Sequence, residues 1–449
     1  MRPKGRILLM CTALILRAAG ASAQTDPAST PIKMDITLKE AIKIALSENP
    51  TIRVADKDIE LKKTADKEAW QQLLPEANVS GSLTHTLLAA EMKLNGNTFK
   101  MGQDGTTTGN AAVSLSLPIF APAVYKTMSM TKADIQLALE QSRASKLDLT
   151  NQVTKAFYQL LLAQDSYEVM KQSYAISEEN FNVVNSKYVH GAVSEYDKIS
   201  AEVQMRSMSS SLTSAQTALS LAQLQLKVLM GVTEDVTLNI KDRLENYEDE
   251  LILADPETSK QELTNNSQLK QFDLNKTLLE KTRKVLQTSF MPTLSFSLNY
   301  QYQSLYNNSF NIFRYDWAPS SSFVFTLSIP IFKASNWTKL KSNRIQIMQL
   351  EDNRLNTERQ LSMAVESYTN NMLASIKQVE SNKEAVRQAD KARLISSKRY
   401  DVGKGTILEL NQSEVALTQA KLTYNQSIYD YLTNKADLDY TLGRETYNE

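Results

Sequence analysis

The sequence predicts a mainly α-helical protein with a small β part, a tandem repeat of long coiled-coil-like helices interrupted by two β-hairpins. Three observations carry that expectation. Helix-breaking residues are missing from very long stretches, motifs recur at one constant offset, and four short segments alternate apolar with small polar residues.

The chain of 449 residues opens on Arg2, Lys4 and Arg6, then an apolar run from Ile7 to Leu16, then the small residues Ala21-Ser22-Ala23 before Gln24. This basic, apolar, small order is that of an export signal over residues 1–23, and the run is too short to span a bilayer as a helix. The single cysteine, Cys11, lies inside it, so the mature chain would hold no disulfide and no cysteine metal site. A lipid-anchored reading would start the mature chain at Cys11, but Met10 is a poor small-residue match before it. Residues 24–35 read as an N-terminal linker. No later segment approaches the roughly eighteen consecutive apolar residues of a spanning helix. Lys plus Arg and Asp plus Glu are each 50, so no net charge asks for nucleic acid.

Neither glycine nor proline occurs between Pro122 and Gly191, nor over 192–230, 331–402 or 406–442. These residues punctuate helices. As one helix, the first stretch would run on the order of 100 Å at about 1.5 Å per residue. Val153, Leu160, Tyr167, Tyr174, Phe181 and Tyr188 repeat every seven residues, and so do Val365, Met372, Val379 and Val386 until Arg393 interrupts and Tyr400 resumes. A seven-residue apolar period means helices packed side by side.

Leu115-Ser116-Leu117-Pro118-Ile119-Phe120 returns as Leu327-Ser328-Ile329-Pro330-Ile331-Phe332, an offset of 212 residues. The same offset relates Tyr188 to Tyr400, Gly191 to Gly403, Glu202 to Glu414 and Gly231 to Gly443, while Asn49 and Asn266, and Pro75 and Pro292, are 217 apart. Each half therefore reads helix, hairpin, long helix, glycine turn, long helix. Repeat one covers about 36–231 and repeat two about 257–443. An acidic connector (232–256, with Glu234, Asp235, Glu245, Glu248, Asp249 and Glu250) lies between them and reads as a solvated surface loop with short helix or strand pieces, and 444–449 form a tail.

The alternating segments fall at about 77–87, 111–118, 293–303 and 322–330. Leu294, Phe296, Leu298, Tyr300 and Tyr302 alternate with Ser295, Ser297, Asn299, Gln301 and Gln303, for example. Period two marks strands, and about ten residues is the length of a membrane-crossing β-strand. The polar face is nearly free of charge, which suits a polar lumen behind a lipid-facing surface better than a soluble sheet. Four strands cannot close a barrel with a lumen and open edges cannot face lipid, so copies of the chain would have to pool their strands. Polar loops at 88–109 and 304–320 would face outside. Pro75 and Pro292 would precede incoming strands, and Pro118 and Pro330 would close outgoing ones.

With its Pro-Ile-Phe strand exits and its Tyr-x-x-Gly turns (Tyr188-Val189-His190-Gly191 and Tyr400-Asp401-Val402-Gly403) at fixed spacing, the chain resembles the TolC-like outer-membrane efflux family over nearly its whole mature length. The resemblance implies a homotrimer sharing a twelve-stranded β-barrel in outer-membrane lipid, continuous with a helical α-barrel crossing the periplasm. It implies a periplasmic adaptor docking at the helix tips around Gly191, Gly403 and Lys404, and an inner-membrane pump that supplies the energy, so that transport here is passive. It further implies a periplasmic gate of inward-folded helix pairs, with roles falling by position on Asp197, Tyr400 and Glu409. Two positions depart from the family pattern: Gly405 replaces a basic residue and Gln412 an acidic one. Asp197 and Glu409 each also sit where acids favour a helix start, and Tyr400 lies in the heptad stripe, so core or capping roles stand beside gating.

No Gly-rich phosphate loop, nucleophile elbow or paired-histidine zinc motif is present, and His85 and His190 have no ligand-spaced partner, so no enzyme, cofactor or metal is expected. The competing reading is a periplasmic or secreted coiled-coil scaffold or adaptor with no channel.

Overall fold

The computed structural model describes residues 32–94, 97–232, 236–248 and 263–446; the expected signal and connector residues 233–235 and 249–256 lie outside them. Strand β1 (Ile32–Asp35), the end of the expected linker, leads into helices α1 (Leu38–Glu48) and α2 (Pro50–Gln71). Strands β2 (Glu76–Thr86), β3 (Ala90–Leu94), β4 (Asn97–Met101) and β5 (Thr106–Phe120) follow, then the long helix α3 (Pro122–Val189) and the return helix α4 (Glu195–Met230). Strand β6 (Val236–Asn239) pairs in parallel with β1. The second half repeats the plan with α5 (Ser267–Gln287), β7 (Thr293–Asn307), β8 (Ala318–Ser328), α6 (Ala334–Asp401) and α7 (Ile407–Leu442).

Helices α3 and α6 each have 68 residues, and α4 and α7 each have 36. At about 1.5 Å per residue the long pair spans roughly 100 Å. Proline opens α3 at its first turn, where its missing N–H costs nothing. The tip turns carry Gly191 and Gly403 at φ +73° and +70°. There Ala192 N–H reaches Lys187 O and Lys404 N–H reaches Arg399 O, each at 2.8 Å, satisfying carbonyls the helix would otherwise orphan.

Each long helix is flanked by two short ones set end to end. Helices α2 and α5 pack on the half of α3 nearest the strands, and α4 and α7 pack on the half nearest the tip. The main core lies at mid-height. There Val153, Phe157, Leu160 and Leu161 of α3 meet Leu226 and Met230 of α4, Ile428, Tyr431 and Leu432 of α7, and Ala41, Ile42 and Ala45 of α1. Full burial of a large apolar side chain contributes about 1.5–3 kcal/mol.

The end-to-end joins are built twice in the same way. Asn49 Oδ1 accepts from Thr51 N–H (2.8 Å), capping α2, while its Nδ2 donates to Leu229 O of α4 (2.7 Å). Asn266 Oδ1 accepts from Leu269 N–H (3.0 Å), capping α5, and its Nδ2 donates to Thr441 O of α7 (2.7 Å). Both asparagines are buried. Gly231 and Gly443 close the departing helices at φ +70° and +69°, and each fits only without a side chain. A Cβ on Gly231 would meet Glu48 O at 3.0 Å, and one on Gly443 would meet Asn265 O at 2.1 Å. The second join is reinforced by Arg143, which donates to Gly443 O (2.9 Å) and Asn265 O (3.2 Å) and pairs with Glu140 (2.9 Å) and Glu445 (2.7 Å).

The strands differ from their expected limits. Strand β5 runs through Pro118 to Phe120 instead of closing at Pro118, with a register shift against β7 between Pro118 and Phe120. Proline is tolerated there because the ladder is already irregular at that point. Strand β8 ends at Ser328, before Pro330. The expected loop at 88–109 holds a short antiparallel hairpin of its own, β3 with β4, and 304–320 holds a helical turn at Ile312–Arg314.

Asn266→Ala should lower stability by about 1–3 kcal/mol through a lost cap and an orphaned carbonyl. Gly443→Ala should cost about 2 kcal/mol or more, since a left-handed backbone alone costs roughly 1–2. Thermal or denaturant unfolding of the purified protein would read both, and Gly105→Ala, an open-space glycine at φ +69°, separates the clash from the backbone cost.

Candidate functional site

Strands β2, β5, β7 and β8 form one antiparallel sheet in that order. Its register sorts the side chains by face. Ala77, Leu115, Leu298 and Phe323 stand in one row, and Leu117, Phe296 and Phe325 in the next row on the same face. The opposite face carries the rows Asn78, Ser114, Asn299, Ser322 and Ser80, Ala112, Gln301, Ser320. The apolar face is bare: Val79 is 84 % exposed, Phe323 69 % and Leu327 60 %. Phe296 and Phe325 contact across the strands at 5.1 Å, and Tyr300 lies 5.5 Å from Tyr302 toward the outer end. A contiguous apolar surface of this kind is unstable in water and matches hydrocarbon. Within the chain, β2 and β8 are each paired on one side only, so both leave a free edge. No described helix is long and apolar enough to cross a membrane.

At the far end, α3, α4, α6 and α7 converge on a small cluster of Val184, Ala201, Ile407 and Leu410, with Phe181, Val193 and Tyr400 packed against it. The three residues assigned by resemblance all come to this end. Asp197 forms a capping box with Ser194: its Oδ2 accepts from Ser194 N–H (3.1 Å) and Oγ (2.8 Å), and its own N–H donates to Ser194 Oγ (3.2 Å). Tyr400 has its hydroxyl buried without a hydrogen-bond partner. Burial raises its pKa, and the Asp197 and Asp401 charges raise it further. Asp197 and Tyr400 are thus neighbours that are not hydrogen-bonded to each other. Glu409 donates its N–H to Thr406 Oγ1 (3.2 Å) in the equivalent cap and lies 3.5 Å from Arg399.

Arg399 lies beside Gly405. A Cβ on Gly405 would sit 3.1 Å from Tyr400 N and from Arg399 Cβ, so a side chain there would crowd the turn. Two contacts at this end carry no motif in the sequence. Lys187 Nζ stands 4.8 Å above the Tyr400 ring, and Lys198 Nζ 5.0 Å above the Tyr188 ring.

Further up, Glu414 of α7 is buried and accepts a short hydrogen bond from Asn180 Nδ2 of α3. Arg393, the heptad interruption, lines the same small cavity; its buried Nε lies 3.7 Å from Asp390 and makes no hydrogen bond. Burial pushes the Glu414 pKa up, and the Asn180 bond and Arg393 charge only partly oppose it.

His85 Nδ1 lies 2.9 Å from Thr107 Oγ1, and His190 Nδ1 lies 2.8 Å from Ser186 O. Among the described residues no group of three or more His, Cys, Asp or Glu side chains could hold a metal.

A folded pKa above the unfolded value stabilises below the unfolded pKa and is lost as pH rises through the folded one. Wild type should therefore gain stability relative to Glu414→Gln as pH falls through the raised pKa toward the ordinary glutamate value of about 4.3. Paired unfolding curves across that range test the sign.

The sequence model of the family described as outer membrane efflux protein matches residues 41–232 and 258–444. Outer membrane protein TolC of Salmonella enteritidis is 22 % identical over 412 residues, covering 89 % of this chain and 80 % of that protein. TolC of Escherichia coli K12 is 23 % identical over 418 residues, with the same coverage. Among solved structures, CusC superposes with a TM-score of 0.71 at 16 % identity, covering 94 % of this chain and 95 % of CusC. The Campylobacter jejuni CmeC outer membrane channel gives 0.68 at 16 % identity, covering 96 % and 94 %. The open-state Neisseria gonorrhoeae MtrE channel gives 0.68 at 17 % identity, covering 90 % and 88 %. With both halves matched by one family model and the repeat visible in the fold, the chain belongs to the outer membrane efflux protein family, a family of channels, and resides in the outer membrane with an extension into the periplasm.

Proposed function

We propose that three copies of this chain form a passive exit duct of a tripartite efflux or secretion system. The observation that carries this reading is a four-stranded antiparallel sheet with an apolar face and two free edges, continuous with helices of about 100 Å. Unpaired edges are not stable in lipid. Edge-to-edge pairing of β8 with a neighbour's β2 satisfies both edges at once, and three sheets make twelve strands, enough for a lumen. The Ser, Asn and Gln rows then line the lumen.

Helices α3–α4 and α6–α7 extend this lumen through the periplasm. Their glycine tips, with Gly191, Gly403 and Lys404, present the docking surface for a periplasmic adaptor, and an inner-membrane pump supplies the energy. The apolar cluster around Tyr400, with Asp197 and Glu409 beside it, is the periplasmic gate. The MtrE channel of this fold is described in an open state, which supports a part that opens. The duct performs no catalysis of its own.

Full-length precursor should fractionate with the outer membrane and yield, after detergent extraction, a trimer by native mass analysis. A soluble periplasmic monomer would instead favour the coiled-coil scaffold. For the gate, Tyr400→Ala, which removes the ring from the tip cluster, should raise the single-channel conductance of the purified trimer in planar bilayers. Unchanged conductance would remove the gate from this end.

A further inference from the structure

Three polar residues of α3 lie seven apart, and each reaches across to the second repeat. Ser173 Oγ and Thr418 Oγ1 of α7 are 2.7 Å apart. Asn180 Nδ2 donates to the buried Glu414 of α7. Lys187 Nζ stacks on the ring of Tyr400 of α6. A seven-residue period keeps one side of a helix facing the same neighbour in side-by-side packing. The three contacts therefore form one line running toward the tip, beside the apolar heptad of Tyr174, Phe181 and Tyr188. Arg393 of α6 and Lys421 of α7 line the cavity next to Glu414.

We propose that Ser173, Asn180 and Lys187 form a polar seam with Thr418, Glu414 and Tyr400 that holds the second repeat's helix pair against the first and sets the resistance of the periplasmic end to opening. The inference rests on the gate reading above and adds residues to it. An apolar seam would gain its energy from area in any register, so the helices could slide with little loss. Directional contacts hold in one register only, and losing them leaves Glu414 buried and unpaired. At the last rung the cation faces the ring, not the hydroxyl, because the hydroxyl has no partner and Asp197 is engaged by Ser194. Lys187 is thus a gate residue that acts through the Tyr400 ring.

The one cysteine, Cys11, lies in the expected signal and far in sequence from the seam, so an introduced cysteine pair can lock it. Conductance of the full-length trimer in planar bilayers is measured for Lys187→Met, Lys187→Arg, Tyr400→Phe, Tyr400→Ala, the double variant Asn180→Leu with Glu414→Leu, and Lys187→Met carrying Ser173→Cys and Thr418→Cys. The seam predicts about a two- to fivefold rise in open occupancy for Lys187→Met. It predicts a rise in the double variant, wild-type behaviour in Lys187→Arg and Tyr400→Phe, and a return to the closed level when the cysteine pair is oxidised. If Tyr400→Ala opens the channel while Lys187→Met and the double variant behave as wild type, the seam is wrong and the gate stands. Equal opening by Tyr400→Phe and Tyr400→Ala would place the lock on the hydroxyl and overturn the Lys187 rung. No change in any variant, Tyr400→Ala included, removes the gate reading itself.

Discussion

Two asparagines joining helix ends hold the rest of this architecture in place. At Asn49 and again at Asn266, one amide side chain serves both a free N–H in the first turn of an arriving helix and a last carbonyl of a departing one. The negative end of one helix macrodipole meets the positive end of the next, which is favourable at close range. A 36-residue helix and a helix of about twenty thereby act as one rod, long enough to accompany a 68-residue partner. Each join lets two shorter helices together cover a long helix that neither is long enough to cover alone. The glycine at each departing end is the complement of the asparagine, because the approaching backbone leaves no room for a Cβ.

At the opposite extreme the sheet is governed by what it lacks. Its outer strands have backbone donors and acceptors on a free edge, and in hydrocarbon each unsatisfied group costs several kcal/mol. In the proposed trimer, association with other copies would remove that cost, whereas the helices already share a core within one chain. The two regions meet between Phe120 and Pro122 in the first half and between Ser328 and Ala334 in the second, where strands give way to long helices.

The helices were legible in the sequence because the signals that shape them are local. Missing glycine and proline, the seven-residue period and the 212-residue offset all survive as written, and the offset reappears in the equal lengths of α3 and α6 and of α4 and α7. The strands were legible from their alternation, but their ends were not. Pro118 reads as a stop by itself and is accommodated only because β7 shifts register opposite it. The β3–β4 hairpin is hard to read because its strands are only five residues each, too short for the alternation of Ala90-Glu91-Met92-Lys93-Leu94 to stand out from a polar loop. At the tip, the resemblance points to Asp197, Tyr400 and Glu409 by position but says nothing of the contacts they make. The Lys187–Tyr400 and Asn180–Glu414 contacts join residues 213 and 234 apart in the chain, and no local pattern encodes such partners. Arg393 left a trace, as the one break in an apolar heptad.

The matched lengths of the two halves also bear on how such a chain can vary. A residue inserted in α3 alone would turn its tip by about 100° relative to α4 and lift it by about 1.5 Å. The core contacts at mid-height and the tip cluster could not both remain in register. Lengthening is compatible with the fold only when a long helix and its return helix change together, in steps near whole heptads, and in both halves if the tips are to stay level. The reach of this protein is therefore quantised: its rods can grow by paired multiples of about 10 Å, and loops outside the rods are the places where single residues can come and go.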